Sequence, residues 1–283
     1  MPLLRTLLLL SRAGGLPAVW SNCLAGWWLA GHRETEGLPF LFVGATLMFI
    51  GGNFLNDAFD ADYDREHRRA RPIPSGTVAW KTVWRWGLAL LAAGVLVLLG
   101  PGTLTASLGL ALVVCIIAYN TIHQALALSP ALLGACRLFL YLMGAAAAGH
   151  GVSGWSLWCG LAMAGYVSGV GCFKRWERTP ALVNYWPVLL LAFPILLAAV
   201  MNAGGYLEKG LLLSAILALW GARALRQTFW SAERKVGVTV LELEAGIVFA
   251  DWLACADAPR ELSFTFLALF GVTLLCQRVL PRA

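Results

Sequence analysis

Ten apolar stretches run through this chain, at roughly 16 to 31, 39 to 58, 82 to 100, 104 to 121, 129 to 149, 155 to 173, 186 to 203, 208 to 226, 238 to 256 and 263 to 280. Crossing roughly 30 Å of hydrocarbon takes about 20 apolar residues in a helix, and lipid offers the backbone no hydrogen-bond partners of its own. The expectation is an all-α, polytopic membrane bundle of nine or ten transmembrane helices. The ninth stretch, "VLELEAGIVFADW", carries Glu242, Glu244 and Asp251, a charge load that also fits a short or re-entrant piece. Composition agrees: the 283 residues are 59% hydrophobic and 13% charged, with a mean hydropathy of +0.73, outside the range of soluble domains. The opening "MPLLRTLLLLSRAGG" meets no small-residue cleavage site before the apolar run resumes, so it reads as the approach to a retained helix. Seven cysteines stand singly, away from any histidine cluster, which argues against a disulfide or zinc framework.

Linker charge orients the bundle. The linkers around Arg65 to Lys81, Lys174 to Arg178 and Arg223 to Lys235 are basic, while those near Pro101, His150 and Asn202 are nearly neutral. Basic linkers stay in the cytoplasm. With ten spans, Arg278 and Arg282 fall on that side too. A shift of 118 residues lays Ser11 on Ser129, Gly26 on Gly144, and Ala30, Gly31 and His32 on Ala148, Gly149 and His150; it also carries Asp57 onto Arg175. The chain therefore reads as one domain, 1–283, in two pseudo-repeated halves of about 1–125 and 126–283. His32 and His150 belong at the face opposite the basic linkers.

Charge gathers most densely in "GGNFLNDAFDADYDREHRRARPIPSG", Gly51 to Gly76. Asn53, Asp57, Asp60 and Asp64 stand at i, i+4, i+7 and i+11, one face of a helix leaving the membrane, with Asn56 a step aside. Three carboxylates on one face repel each other unless a cation sits among them. Hard oxygen ligands suit Mg²⁺, which binds through one or two carboxylates plus substrate phosphates. Arg65, Arg68, Arg69 and Arg71 would neutralise the remainder of a diphosphate. The plainer reading is a solvated helix cap with surface ion pairs.

Asn56-Asp57-x-x-Asp60-x-x-x-Asp64 followed by "RPIPSG" from Arg71 resembles the first aspartate-rich motif of the UbiA superfamily of intramembrane prenyltransferases. "SRAGGLPAVWSNCLAG" resembles that family's first helix, with Asn22 at a cavity-facing polar position. "AYNTIHQALALSPALLGACRLFLYL" and "GYVSGVGCFKRWE" are similar to the EboC-like branch. The resemblance implies helices around a central cavity, a polyprenyl diphosphate bound beneath a cytoplasmic cap, and Mg²⁺ held by Asp57, Asp60 and Asp64. The ion offsets charge as the allylic C–O bond breaks. A small acceptor, not identified by the sequence, then takes the prenyl group; no nucleic-acid partner is expected. The setting implied is the plasma (inner) membrane, with the active site facing the cytoplasm.

One departure is plain. Where the family carries a second aspartate-rich motif, this chain has "CFKRWERTP", with Glu177 beside Lys174, Arg175 and Arg178. Lys174 or Arg175 is then expected to supply fixed positive charge in place of a second ion, with Glu177 orienting it or adding a ligand. The loop from Arg178 to Asn184 is short for a cap. Arg137, eight residues into its apolar stretch, should face the cavity or a partner, and Asp251 should pair with a neighbouring helix or line a wet crevice. Tyr119, Asn120 and Tyr166 complete the candidate substrate contacts. A binding protein descended from the family, its catalysis lost, and a transporter with inverted repeats are the rival readings.

Overall fold

The structure is a computed structural model that describes residues 3–31, 34–124, 126–178, 183–201 and 204–280. His32, Thr179, Asn202 and Arg282, with most of the 178–184 loop, lie outside the described residues. The chain folds as α1 (Leu3–Ser11), α2 (Leu16–Leu29), α3 (Leu38–Phe59), α4 (Ala61–His67), α5 (Trp80–Val97), α6 (Thr103–Ile122), α7 (Ser129–Ala147), α8 (Gly154–Arg178), α9 (Pro187–Leu191), α10 (Phe193–Met201), α11 (Leu207–Phe229), α12 (Val236–Ala254) and α13 (Arg260–Val279). Within the described residues each expected stretch falls on helix, one of them interrupted. Five helices, α3, α6, α7, α8 and α13, are long and apolar enough to cross a membrane by length and composition. Leu96, Val114, Leu219 and Val279 stand exposed on the outside of the bundle, where hydrocarbon would be their solvent.

Two segments differ from the sequence reading. The stretch at 186 to 203 is broken: the Ala192 amide bonds to Leu189 O three residues back, and Pro194 has no amide hydrogen to continue the ladder. The acid-bearing ninth stretch, in contrast, is one unbroken helix in the core. It carries its acids because each is partnered: Glu242 by Arg223 at 3.1 Å, Glu244 by Lys174 at 2.5 Å, and Asp251 by buried donors.

Small residues let the helices approach. A methyl group on Gly26 of α2 would lie 2.1 Å from Tyr141 O of α7, and one on Gly144 of α7 would lie 2.2 Å from Cys23 O of α2. These are the two glycines aligned by the 118-residue shift, and each accepts the other's helix. On α3 and α5, Gly51 and Gly87 meet in the same way, with Gly87 O 2.9 Å from where a Gly51 side chain would begin. One core region packs Phe173, Trp176, Leu243 and Val248 between α8 and α12, and another packs Met48, Leu55 and Met143 between α3 and α7. Between them the C-terminal ends of α3, α6 and α8 and the N-terminal ends of α7 and α12 surround one cavity of about 950 Å³.

Candidate active site

The charged motif sits where α3 gives way to α4. Asp60 is the joint: its backbone remains helical (φ −79°, ψ −2°), its amide bonds to Asn56 O, and its carbonyl accepts from Asp64. The helical face therefore carries through the junction, and Asp57, Asp60 and Asp64 are all buried, at 4%, 0% and 1% exposure. That burial excludes the plainer reading of a solvated cap. The helical run ends at His67, where Arg68 leaves helical geometry (φ −141°, ψ 56°); Gly76 (φ 71°) turns the chain, and the Trp80 indole donates to Ala58 O, fastening the turn against the end of α3.

The three carboxylates do not stand open to the cavity. Asp57 Oδ1 accepts from Arg12 Nη2 at 2.5 Å and lies 3.5 Å from Arg71 Nη1; Asp64 Oδ2 accepts from Arg71 Nη1 at 2.7 Å. Asp60 Oδ1 accepts from Gln124 Nε2 at 2.5 Å, and His123 Nε2 lies 3.0 Å away without hydrogen-bond geometry. Among the described residues no three carboxylate, imidazole or thiol groups converge on one point as metal ligands would. Asp57 and Asp64 instead share Arg71, and Asp60 is engaged by the end of α6.

What the cluster lacks is as informative as what it holds. Asp64 Oδ1 is a buried acceptor with no partner, while Arg12 Nε and Arg71 Nε are buried donors with none. Such groups cost about 1–3 kcal/mol each when left unsatisfied. A cation would satisfy the first and an anion's oxygens the other two. The donor set thus fits Mg²⁺ bound in the way usual for that ion, by one or two carboxylates with phosphate and water completing its shell.

Arg12 reaches the site from the turn between α1 and α2. It is the one residue other than glycine with a positive φ among the described residues (φ 46°, ψ 43°). Asn53 Nδ2 donates to Ser11 O, holding the turn against α3, and Arg12 Nη2 also donates to Asn56 Oδ1 at 2.8 Å. Burial acts to strip the guanidinium of its charge; the attraction and hydrogen bond of Asp57 outweigh that and hold its pKa above the ordinary value. Asn56 in turn donates to Asn120 Oδ1, and Asn120 donates to Gly52 O.

The cavity walls are basic. Arg12, Arg68, Arg71, Arg137, Lys174, Arg175, Arg234 and Lys235 line it, eight basic side chains against the two acidic ones, Glu177 and Glu244. Tyr119, Asn53, Asn56 and Asn120 line it as well. Farther along α3, α6 and α7, the lining turns apolar with Met48, Leu112, Ile116 and Leu140. Met48 lies eight residues, or about 12 Å, along α3 from Asn56. Lys174 is oriented by Glu244 of α12, not by Glu177, whose Oε1 instead sits 2.9 Å from where a side chain on Gly237 would begin. Arg175 donates to Leu126 O.

Two expected contacts are not in the cavity. Tyr166 is enclosed between α8 and α12, where its hydroxyl donates to Leu243 O at 2.9 Å. Asn22 is buried completely and works from behind the wall: its Oδ1 accepts from Arg137 Nη1 at 2.9 Å, while its Nδ2 donates to Asp251 at 2.8 and 2.9 Å. Ser21 Oγ and Tyr141 Oη donate to the same carboxylate, each at 2.5 Å. Arg12, Gln124 and His123 were not among the expected site residues. For Arg12 the signal was a lone cation in "SRAGG", ahead of two glycines.

The sequence profile of the UbiA prenyltransferase family matches residues 17–179, over half of the chain. The chain belongs to the UbiA prenyltransferase family. A UbiA homologue from Aeropyrum pernix superposes with a TM-score of 0.68 at 15% identity, covering 91% of this chain and 99% of that one. A UbiA homologue from Archaeoglobus fulgidus, solved with DMAPP and Mg²⁺, gives 0.51 at 12% identity, over 98% of this chain and 100% of that one. At these identities the likeness is one of fold. The digeranylgeranylglyceryl phosphate synthase of Methanopyrus kandleri is 40% identical over 67 residues, 24% of this chain and 25% of that one. That of Ignicoccus hospitalis is 36% identical over 102 residues, 36% of this chain and 33% of that one. The match thus spans a quarter to a third of these UbiA relatives' length. The chain is an all-α, membrane-integral UbiA protein.

Proposed function

We infer that this UbiA protein transfers a prenyl group from a polyprenyl diphosphate to a small acceptor inside the membrane. The observation that carries the reading is a single cavity that is basic, with unsatisfied donors in its polar cluster, at the helix ends and apolar farther along the helices. That gradient matches a diphosphate head with an isoprenoid tail. The homologue solved with DMAPP and Mg²⁺ and the relatives named digeranylgeranylglyceryl phosphate synthase support the same reading.

Arg12, Arg68 and Arg71 would grip the diphosphate, guanidinium to phosphate, a geometry that allows paired hydrogen bonds. When bound, Mg²⁺ adds Lewis-acid neutralisation of the leaving diphosphate; Asp64 and Asp57 are the residues that would hold it, with Asp60 fixed in support by Gln124. Lys174 and Arg175 bring fixed positive charge from the second half of the chain, Lys174 being steadied by Glu244. As the allylic C–O bond breaks, its electron pair leaves with the diphosphate, and the acceptor supplies the pair for the new bond. The apolar walls keep water from that carbon. Arg137, deeper on α7, is placed to meet an anionic or polar group of the acceptor. The basic helix ends support a mouth on the cytoplasmic side by the positive-inside rule, and the reading proposed here sets it in the plasma membrane with one charged motif in each of two halves.

The test is Mg²⁺-dependent release of diphosphate from geranylgeranyl diphosphate by protein in lipid nanodiscs, supplied with an extract of acceptors. Release that vanishes in Asp57→Ala is expected. Tight binding with no release in any extract would mark a binding descendant of the family and overturn the enzymatic reading.

A further inference from the structure

Arg12 occupies the place where a cation on Asp57 would sit. Its Nη2 lies between Asp57 Oδ1 and Asn56 Oδ1, at 2.5 and 2.8 Å, while the side chain also lines the cavity and is 35% exposed there. The backbone holds a left-handed conformation that costs a residue with a side chain about 1–2 kcal/mol. Two neighbouring glycines would adopt it freely, yet arginine stands at this position. The Asn53 bond to Ser11 O fastens the turn that carries Arg12 to α3, the helix whose aspartate the guanidinium meets. Its Nε, buried and unpartnered, and that of Arg71 are donors still waiting for an acceptor.

We propose that Arg12 is an exchangeable internal counter-ion that keeps Mg²⁺ off Asp57 until a diphosphate arrives to take the arginine over. With no diphosphate, a divalent ion must compete with a charge-assisted hydrogen bond for Asp57 and Asn56. Phosphate oxygens satisfy Nε and Nη2 of Arg12, and the vacated carboxylate oxygen then becomes available beside the unpartnered Asp64 Oδ1. Ion and diphosphate therefore bind with positive coupling, and by linkage each strengthens the other equally. Arg12 thereby compensates the buried charge of Asp57, as Arg71 does that of Asp64. No bond is made or broken in this exchange; it is a change of hydrogen-bond partners.

The inference rests on reading the cavity as a diphosphate site, not on transfer taking place. The experiment uses the full chain in nanodiscs, with Mn²⁺ as an EPR-visible probe of the ion and inorganic diphosphate as the anion. Mn²⁺ affinity is measured with and without diphosphate, and diphosphate affinity with and without Mn²⁺. Arg12→Gly suits the left-handed backbone and removes the side chain. It should bind Mn²⁺ alone about tenfold more tightly than the unmodified protein and diphosphate about tenfold more weakly, in keeping with one charge-assisted hydrogen bond, and the coupling should shrink. Arg12→Lys, a point charge without the fork, should fall between them and decides the matter if the glycine variant does not fold. Unchanged or weaker Mn²⁺ binding in these variants, or a coupling that ignores Arg12, overturns the proposal. Coupled binding that depends on Arg12 but yields no prenyl transfer would sink the functional reading alone, and failure of the unmodified protein to bind diphosphate would sink both.

Discussion

Arg137 is a cation eight residues inside a membrane helix, and Asp251, on another helix, makes it tolerable by acting through Asn22. Because both carboxylate oxygens of Asp251 accept from the Asn22 amide nitrogen, Asn22 can present only its oxygen to Arg137. Replacing Asp251 by Ala removes that constraint and leaves the buried donors of Asn22 and Tyr141 without their acceptor. The expected loss is about 1–3 kcal/mol for each buried donor left unsatisfied, read as a lower Tm in detergent; an unchanged Tm would show that the chain of contacts carries no stability. This is also where the sequence was least legible. Asn22 and Asp251 are 229 residues apart, and no spacing rule joins them. The family resemblance makes Asn22 a cavity residue, but its polarity is spent on Asp251 and Arg137. Asp57, Asp60 and Asp64, in contrast, could be read directly, because helical periodicity puts them on one face.

Helix positions were legible because hydropathy reports them, and the two misjudged segments fail for separate reasons. The α9–α10 break hangs on one proline, which the hydropathy of "PVLLLAFPILLAAVM" conceals. For α12, charge suggested an irregular piece, yet partners on α8 and α11 pay for the acids and leave the helix whole. Glycine contacts were the other hidden layer. Gly144 meets the backbone of α2, not a side chain that might yield, so Gly144→Ala should destabilise by about 1–3 kcal/mol. Gly271 on α13 has open space around it, and Gly271→Ala should be neutral or stabilising, since alanine is the better helix former by about 1 kcal/mol. Thermal unfolding of the two variants side by side checks this; equal shifts would mean that the α2–α7 crossing is looser than drawn.

For the whole molecule, the feature with the widest reach is the excess of positive charge around the cavity. On the proposed function, a chamber that receives a prenyl diphosphate would be left, after transfer, holding free diphosphate, which has lost its tail and gained a further ionisable oxygen. Its grip on the arginines is then at least as strong as the substrate's, while the prenylated product, with no diphosphate, is free to slip into lipid. The expected kinetics are a rapid first turnover followed by a slower steady rate, set by departure of the leaving group. Rapid-quench measurement of prenylated product should show a burst that matches the enzyme concentration, and a linear onset would place the slow step in bond-making. On that view the arginines act as a brake on the cycle, and a pyrophosphatase working outside the membrane would do nothing to release it.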